Sequence, residues 1–231
     1  MTVTSRDGVS SQRTLAWLVV VGLVAYVAID VALAFLRRDY SLVHNAESDY
    51  GRGRHDWLMD INFVLRGAFS AVAVLALRRA RPTAPVWCLW LLGGWALCSA
   101  LLAAFPDNPT GYPHHPSGSV HLVLAFVAFT AIVVASVVIA ITRPAWAGPR
   151  WVRSAVFLTS GLGVVAYLVL PRVIGRQHAP GGVVERIFLA AELAWLVIVV
   201  LSLATTDVVD RTASLELGDA ARALPRRTLP N

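Results

Sequence analysis

The apolar residues of this chain fall into six long segments, separated by shorter stretches that are polar or rich in proline. The segments cover residues 14–36, 58–78, 84–105, 118–142, 151–170 and 183–206. Each has roughly the twenty residues that an α-helix needs to cross about 30 Å of hydrocarbon. The prolines lie in the connections, at the very start of the third segment and near the end of the chain, so the pattern predicts six continuous helices. The predicted fold is all-α, a polytopic membrane bundle of six transmembrane helices.

The composition favours the same fold, because 57% of the residues are hydrophobic, 15% are charged and the mean hydropathy is +0.64. The connections are too short to hold a separate soluble domain. We predict a cytoplasmic N-terminal tail at 1–13, a six-helix transmembrane domain at 14–206 and a cytoplasmic C-terminal tail at 207–231. The first segment is interpreted as a retained helix, since its apolar run is longer than that of a cleaved signal peptide.

The distribution of arginine predicts the orientation of the bundle, since the chain contains no lysine. With the N-terminus inside, twelve arginines lie in cytoplasmic segments, namely Arg6, Arg13, Arg78, Arg79, Arg81, Arg143, Arg150, Arg153, Arg211, Arg222, Arg226 and Arg227. Seven lie in outer connections, namely Arg37, Arg38, Arg52, Arg54, Arg172, Arg176 and Arg186. Cytoplasmic loops carry the excess of positive charge, so we predict a multi-pass protein of the cell membrane with both termini in the cytoplasm.

The net charge of +6 follows from this topology and predicts no nucleic-acid partner. The expected partners are membrane lipids and a hydrophobic small-molecule substrate, and the sequence does not indicate an oligomeric state. Cys88 and Cys98 share the third segment but are about 15 Å apart along a helix, so they cannot form a disulfide with each other.

All six histidines fall in the outer connections or at their edges: His44, His55, His114, His115, His121 and His178. Four of them, His44, His114, His115 and His121, together with Asp107 offer ligands of the kind that zinc takes. However, the chain contains neither H-E-x-x-H nor H-x-x-x-H, so we predict no metal and no other cofactor. His121, near the start of the fourth segment, is the best-placed ligand candidate.

Polar residues inside the apolar segments are costly in hydrocarbon and usually face a partner or a cavity. On the second segment Asn62, Arg66 and Ser70 recur every four residues and share a face, whereas Asp60 points away from it. An arginine at the depth of Arg66 needs a counter-ion, and Asp30 and Glu192 are the acids at suitable depth. Two interpretations remain open: an ion pair that fixes the packing of the helices, or a pocket in which one acid is held protonated.

Several motifs carry a resemblance to a known family. They are the polar run ending in Ser48-Asp49 with Gly51, the turn Phe105-Pro106-Asp107-Asn108, the helix-opening His121, and Gly182-x-x-Glu185-Arg186. Over roughly 15–206 the chain resembles domain-of-unknown-function family 998, a group of bacterial and archaeal six-helix membrane proteins. The resemblance implies a compact six-helix bundle and brings no established activity.

Three functional hypotheses follow. The first is an intramembrane acid/base enzyme that acts on an isoprenoid or lipid-like substrate, for example in a terpene-cyclase-like reaction. Its candidate catalytic residues are Glu192, Glu185, Asp49 and Asp60. Its candidate substrate-binding residues are Asp30, Asn62, Arg66, His121, Trp57 and Tyr167.

The second hypothesis is a non-enzymatic membrane protein that binds or transports a lipid, small molecule or ion. The chain shows no internal repeat of the kind many transporters have, and Gly161-Leu162-Gly163 is the one candidate break in a helix. The third is an accessory subunit, which predicts that every buried charge has a partner and that no cavity remains.

Overall fold

The computed structural model describes residues 6–80, 85–108, 114–142, 149–176 and 178–223, with side chains described within 11–205. In this part the chain forms six α-helices: α1 (Arg6–Leu36), α2 (Asp56–Ala80), α3 (Val86–Leu101), α4 (Pro116–Thr142), α5 (Arg150–Val173) and α6 (Gly181–Ala223). Two short 3-10 helices, Ser48–Gly51 and Leu102–Ala104, lie in the connections, and the described residues contain no strand. The predicted all-α fold with six membrane-spanning helices is confirmed.

Helix α6 occupies the centre of the bundle. Successive helices pack against each other, and α6 also packs against α1, α2 and α4. In the most apolar stretch of α6, 67% is buried inside the bundle, whereas in that of α1 only 22% is buried. Helix α1 therefore lies at the periphery. A row of aromatic rings crosses the middle of the core, in which Phe188 of α6 lies 4.5 Å from Phe129 of α4 between ring centroids. Trp95 and Tyr167 extend this row on either side, at 6.2 Å.

The outer surface of the bundle is apolar. Large side chains such as Trp90, Phe35 and Leu158 are 76%, 69% and 69% exposed, as expected for a surface that faces lipid. The α1–α2 connection and the described parts of the α3–α4 and α5–α6 connections lie together at one end, which we call the polar end. The opposite end, which we call the termini end, holds the start of α1, the ends of α2 and α4 and the starts of α3 and α5.

The helix bounds agree with the predicted segments to within a few residues, except at prolines and at the termini. Pro116 begins α4 and Pro171 lies inside the last turn of α5, so the expectation that prolines lie outside the helices is wrong at these two positions. A first-turn proline has no hydrogen bond to lose, and one in the last turn loses a single bond before the helix ends. Helix α6 continues to Ala223, through much of the predicted C-terminal tail.

Candidate functional site

A cavity of about 450 Å³ opens near the polar end, and we call it the polar-end cavity. It lies between α2, α4, α5 and α6 and beneath the loop of residues 37–55 that joins α1 to α2. Its polar lining consists of Glu47, Ser48, Arg66, Asp107, His121, Tyr167 and Glu185. The remaining walls are apolar and include Leu122, Val123 and Phe126, which are 66%, 62% and 61% exposed on the lipid-facing side of α4. The cavity therefore joins a cluster of polar groups to the lipid surface.

Arg66 lines this cavity as a buried cation that makes no ion-pair contact with a carboxylate of the described residues. Its side chain is 2% exposed, and no carboxylate of the described residues lies within 4.0 Å of its guanidinium. The guanidinium instead lies over the rings of Phe63 and Trp95, 5.3 Å from each centroid, and its Nε has no hydrogen-bond partner in the described part of the chain. Of the two interpretations left open by the sequence, the ion pair with Asp30 or Glu192 is not found among the described residues.

Glu47 is the acid that the 37–55 loop brings to the cavity. Its side chain is 3% exposed and accepts a short hydrogen bond from the hydroxyl of Tyr26 on α1. Burial, followed by the negative charge of Asp30, raises the pKa of Glu47 to about 7, although Arg66 and the Tyr26 hydroxyl act in the opposite direction. Near neutral pH this carboxyl is therefore partly protonated and can give or take a proton.

The 37–55 loop is fixed to the start of α6 by backbone groups. Gly182 N–H donates to the Val43 carbonyl at 3.0 Å, and the Arg186 guanidinium donates to the Leu42 and Asn45 carbonyls. A side chain at Gly182 would collide with the Asn45 carbonyl, so glycine allows the loop to approach α6. These contacts hold the loop as a roof over the cavity.

Asp107 links the roof to α4. Its carboxylate accepts a hydrogen bond from the Ser48 hydroxyl at 2.8 Å and lies 3.8 Å from His121 Nε2. His121 Nδ1 lies 2.7 Å from the Phe105 carbonyl, and because a carbonyl only accepts, the proton is assigned to Nδ1. In a neutral imidazole this leaves Nε2 as an acceptor beside Asp107. Arg52 closes the arrangement by donating to the Asp107 carbonyl and to the Ser117 hydroxyl.

The predicted site residues fall into two groups. Glu185, Arg66, His121 and Tyr167 line the polar-end cavity, so the structure brings these four together. The others do not line it: Asp49, Asp60, Glu192, Asp30, Asn62 and Trp57. Asp49 is a buried loop residue whose carboxylate accepts from the Ala46 N–H and the Asn45 amide, and burial raises its pKa to about 6. Trp57 is 56% exposed, away from the cavity lining.

Two of the predicted acids lie in other parts of the bundle. Asp30 lines a separate groove of about 310 Å³ between α1 and α6, together with Arg186 and Glu47. Glu192 is fully buried below the cavity, next to Ser136 of α4 and Gly163 of α5, and neither carboxyl oxygen has a hydrogen bond of normal geometry within the described residues. Gly163 makes room for this carboxyl, and α5 is continuous through Gly161-Leu162-Gly163.

Sequence reasoning did not select Glu47 and Ser48 as site residues and named Asp107 only as a possible zinc ligand, yet all three line the cavity. Each lies in a connection between long helices. There the sequence has no helical periodicity from which the direction of a side chain could be predicted. The motifs on which the family resemblance rests nevertheless contain four residues that line the polar-end cavity, namely Ser48, Asp107, His121 and Glu185.

No group of three or more histidine, cysteine, aspartate or glutamate residues within the described ranges is arranged to hold a metal ion. The polar lining instead offers one guanidinium, one imidazole and three carboxyl groups. Such a set can bind an anionic group and exchange protons with it.

No curated protein and no solved structure matches this chain. A family match covers residues 20–202, which include the whole of the polar-end cavity. The chain therefore belongs to the family described as protein of unknown function (DUF998).

Proposed function

We propose that the polar-end cavity binds the anionic headgroup of a membrane-resident amphiphile. The observation that carries this proposal is Arg66, a buried guanidinium that faces the cavity without a carboxylate within 4.0 Å among the described residues. The Glu47 carboxyl acts on Arg66 only from beyond ion-pair distance and is itself partly protonated, so much of the cost of several kcal/mol for burying the guanidinium is left for an anionic ligand to offset. An accessory subunit without a ligand would have each buried charge paired and no cavity.

The route into the cavity favours a ligand that is dissolved in the membrane. The exposed residues Leu122, Val123 and Phe126 belong both to the cavity wall and to the lipid-facing surface of α4. An acyl or isoprenoid chain can lie across this wall while its headgroup reaches Arg66. The 37–55 loop covers the aqueous side, which makes a purely water-soluble ligand a poorer fit.

We further propose that the protein carries out acid/base chemistry on the bound headgroup. Glu47 has a pKa of about 7 and can donate a proton, and His121 Nε2 can accept one. Glu185 holds the Glu47 backbone in place through a hydrogen bond of 2.6 Å. In this proposal the protein is an intramembrane enzyme of the cell membrane that acts on a lipid-like or isoprenoid substrate.

A terpene-cyclase-like reaction is a poor fit to this cavity. Cyclisation develops a carbocation, and Arg66 would place a second positive charge at the end where the acids lie. Trp57, a candidate substrate-binding residue whose aromatic ring could shield such a cation, is not part of the cavity lining. A proton transfer on an anionic headgroup has no such conflict.

The test is native mass spectrometry, with lipid extraction, on protein purified in a mild detergent. Wild type is expected to retain an anionic amphiphile that Arg66→Met loses. Arg78→Met, which removes an exposed arginine from the termini end of the same helix, is the matched control and should retain it. Val123→Trp should narrow the lateral opening and reduce retention, whereas Val134→Trp, elsewhere on α4, should not. Equal retention by Arg66→Met and wild type would contradict the proposal.

A further inference from the structure

We propose that the interface between α4 and α5, called the α4–α5 seam, carries an anionic amphiphile between the two leaflets of the membrane. This inference rests on the proposed use of the polar-end cavity as an amphiphile site. Three features of the seam support it: a second cavity at the opposite end, arginines at both ends, and polar groups between them.

The second cavity, called the termini-end cavity, has a volume of about 560 Å³. Its walls come from the same three helices as the lower part of the polar-end cavity, with Ile139 and Ala140 on α4, Val156 on α5 and Val199 on α6. Both cavities therefore lie along one seam, with α6 behind it. Phe129, at the floor of the first, is about 15 Å along α4 from Ile139 in the second.

Arginine lines both cavities. At the termini end Arg150 and Arg153 are exposed, lie three residues apart on α5 and line the cavity from the same face. At the polar end Arg66 lines the other cavity. Guanidinium groups attract and hydrogen-bond the phosphate of anionic lipids, so each cavity offers a place for the same headgroup. At the termini end the apolar walls of the cavity can hold the hydrocarbon chain of an amphiphile, while the two exposed arginines bind its headgroup.

Polar groups continue along the seam between the cavities. The hydroxyls of Thr130 on α4 and Tyr167 on α5 lie 2.7 Å apart at the floor of the polar-end cavity. Farther along, the Ser160 hydroxyl donates to the Ser136 carbonyl at 3.1 Å, and the carboxyl of Glu192 lies next to Ser136.

Glu192 is also about 10 Å along α6 from Glu185 in the polar-end cavity, toward the termini end. A headgroup that crosses hydrocarbon needs polar partners on its way, because an unsatisfied polar group there is costly. The seam supplies such partners at intervals of one or two helical turns.

The inference is tested in phosphatidylcholine vesicles that contain fluorescent phosphatidylglycerol labelled with nitrobenzoxadiazole on an acyl chain. Dithionite, which does not cross the bilayer, bleaches only the outer leaflet unless the labelled lipid exchanges between leaflets. Vesicles with wild-type protein are expected to lose the inner-leaflet fluorescence as well. Arg150→Gln with Arg153→Gln should slow this loss about tenfold. Arg78→Gln with Arg79→Gln, exposed arginines at the same end but on α2, is the matched control and should leave it unchanged.

A reversible cross-link provides a second test in which the protein stays folded. Ser136 and Ser160 are replaced by cysteine in a chain in which Cys88 and Cys98 are alanine, because the hydrogen bond from the Ser160 hydroxyl to the Ser136 backbone carbonyl shows that α4 and α5 touch at these positions. Oxidation should stop lipid exchange by fixing α4 to α5, and reduction should restore it.

The outcomes separate this inference from the proposed function. Retention of an amphiphile that depends on Arg66, without any exchange by wild type, would overturn the leaflet exchange and leave the proposed function standing. Exchange that continues at an equal rate in the oxidised protein would also overturn the inference. If wild-type protein neither retains an amphiphile nor exchanges lipid between leaflets, both proposals are overturned.

Discussion

The carboxylate of Glu185 accepts a hydrogen bond from the backbone N–H of Glu47, with 2.6 Å between Oε2 and N. This bond joins the second turn of α6 to the 37–55 loop, and the two residues are 138 apart in the sequence. Glu47 thereby stays buried in the cavity wall, where its own side chain meets Tyr26. One acid thus positions another.

Glu185→Ala should loosen the roof of the cavity. The Glu47 N–H would lose an acceptor, so amide hydrogen exchange across 46–51 should become roughly tenfold faster or more. Hydrogen-exchange mass spectrometry on the detergent-solubilised protein measures this. Glu185→Gln is the control, because its amide oxygen can still accept the bond. Equal exchange rates in the two variants would show that the hydrogen bond does not hold the loop.

The pKa of Glu47 predicts a pH dependence of stability. Because its folded pKa of about 7 lies above the ordinary value of 4.5, the protonated form is favoured in the folded state. The folded protein then holds more protons than the unfolded chain, so its stability should fall as the pH rises from about 4.5 to about 7, by up to about 3 kcal/mol.

Thermal unfolding from about pH 5 to about pH 8 tests this expectation, and Glu47→Gln should flatten the upper part of the profile. Asp49, whose pKa burial raises to about 6, contributes in the same direction at lower pH and remains in the variant. Tyr26→Phe removes a donor that favours the ionised Glu47, so it should move the fall in stability to higher pH. Identical profiles for wild type and Glu47→Gln would contradict the assignment.

Arg66→Met should not destabilise the protein once bound lipid has been removed. Its replacement by an apolar side chain removes a buried charge that no carboxylate contacts and whose desolvation costs several kcal/mol, so the change should be neutral or stabilising. Arg52→Met is the contrasting variant, since Arg52 donates to the Asp107 carbonyl and the Ser117 hydroxyl, and its loss should lower the melting temperature. Scanning fluorimetry on delipidated protein compares the two. A large loss of stability in Arg66→Met would favour a structural role for this arginine.

The helices could be predicted from the sequence because a hydrocarbon solvent leaves few alternatives for the backbone. Twenty apolar residues without proline can satisfy their N–H and C=O groups only as a helix, and the six predicted segments are all found. The prediction that prolines lie outside the helices was wrong at helix ends, as at Pro171, because a proline in the last turn of α5 disrupts only one backbone hydrogen bond.

The site was less predictable. The position of a residue within its apolar segment gives the depth of its side chain in the membrane, but it does not show which neighbouring helix that side chain meets. Asp30 and Glu192 have suitable depth to pair with Arg66, yet Asp30 faces the α1–α6 groove and Glu192 packs against Gly163. Glu47 and Asp107 come from connections, whose paths depend on tertiary contacts such as the bond between Gly182 and Val43. Their positions could not follow from a periodic pattern.

The packing of Gly163 against Glu192 yields the last prediction. A Cβ at position 163 would collide with the Glu192 carboxyl, which is fully buried among α4, α5 and α6. Gly163→Ala should therefore cost about 1–3 kcal/mol of unfolding free energy, despite the better helix propensity of alanine. Gly161→Ala, on the same helix with nothing within 4 Å of its added Cβ, is the matched control and should be neutral or stabilising by up to about 1 kcal/mol.

A double-mutant cycle attributes this cost to the named pair. Glu192→Ala removes the carboxyl that the new methyl group would strike, so Gly163→Ala should be much less destabilising in that background. The coupling between the two substitutions is expected to be about 1–3 kcal/mol in denaturant titrations in mixed micelles. If Gly163→Ala costs as much in Glu192→Ala as in wild type, the strain comes from the contact of the helix backbones. The Glu192 carboxyl would then not be the reason that position 163 is glycine.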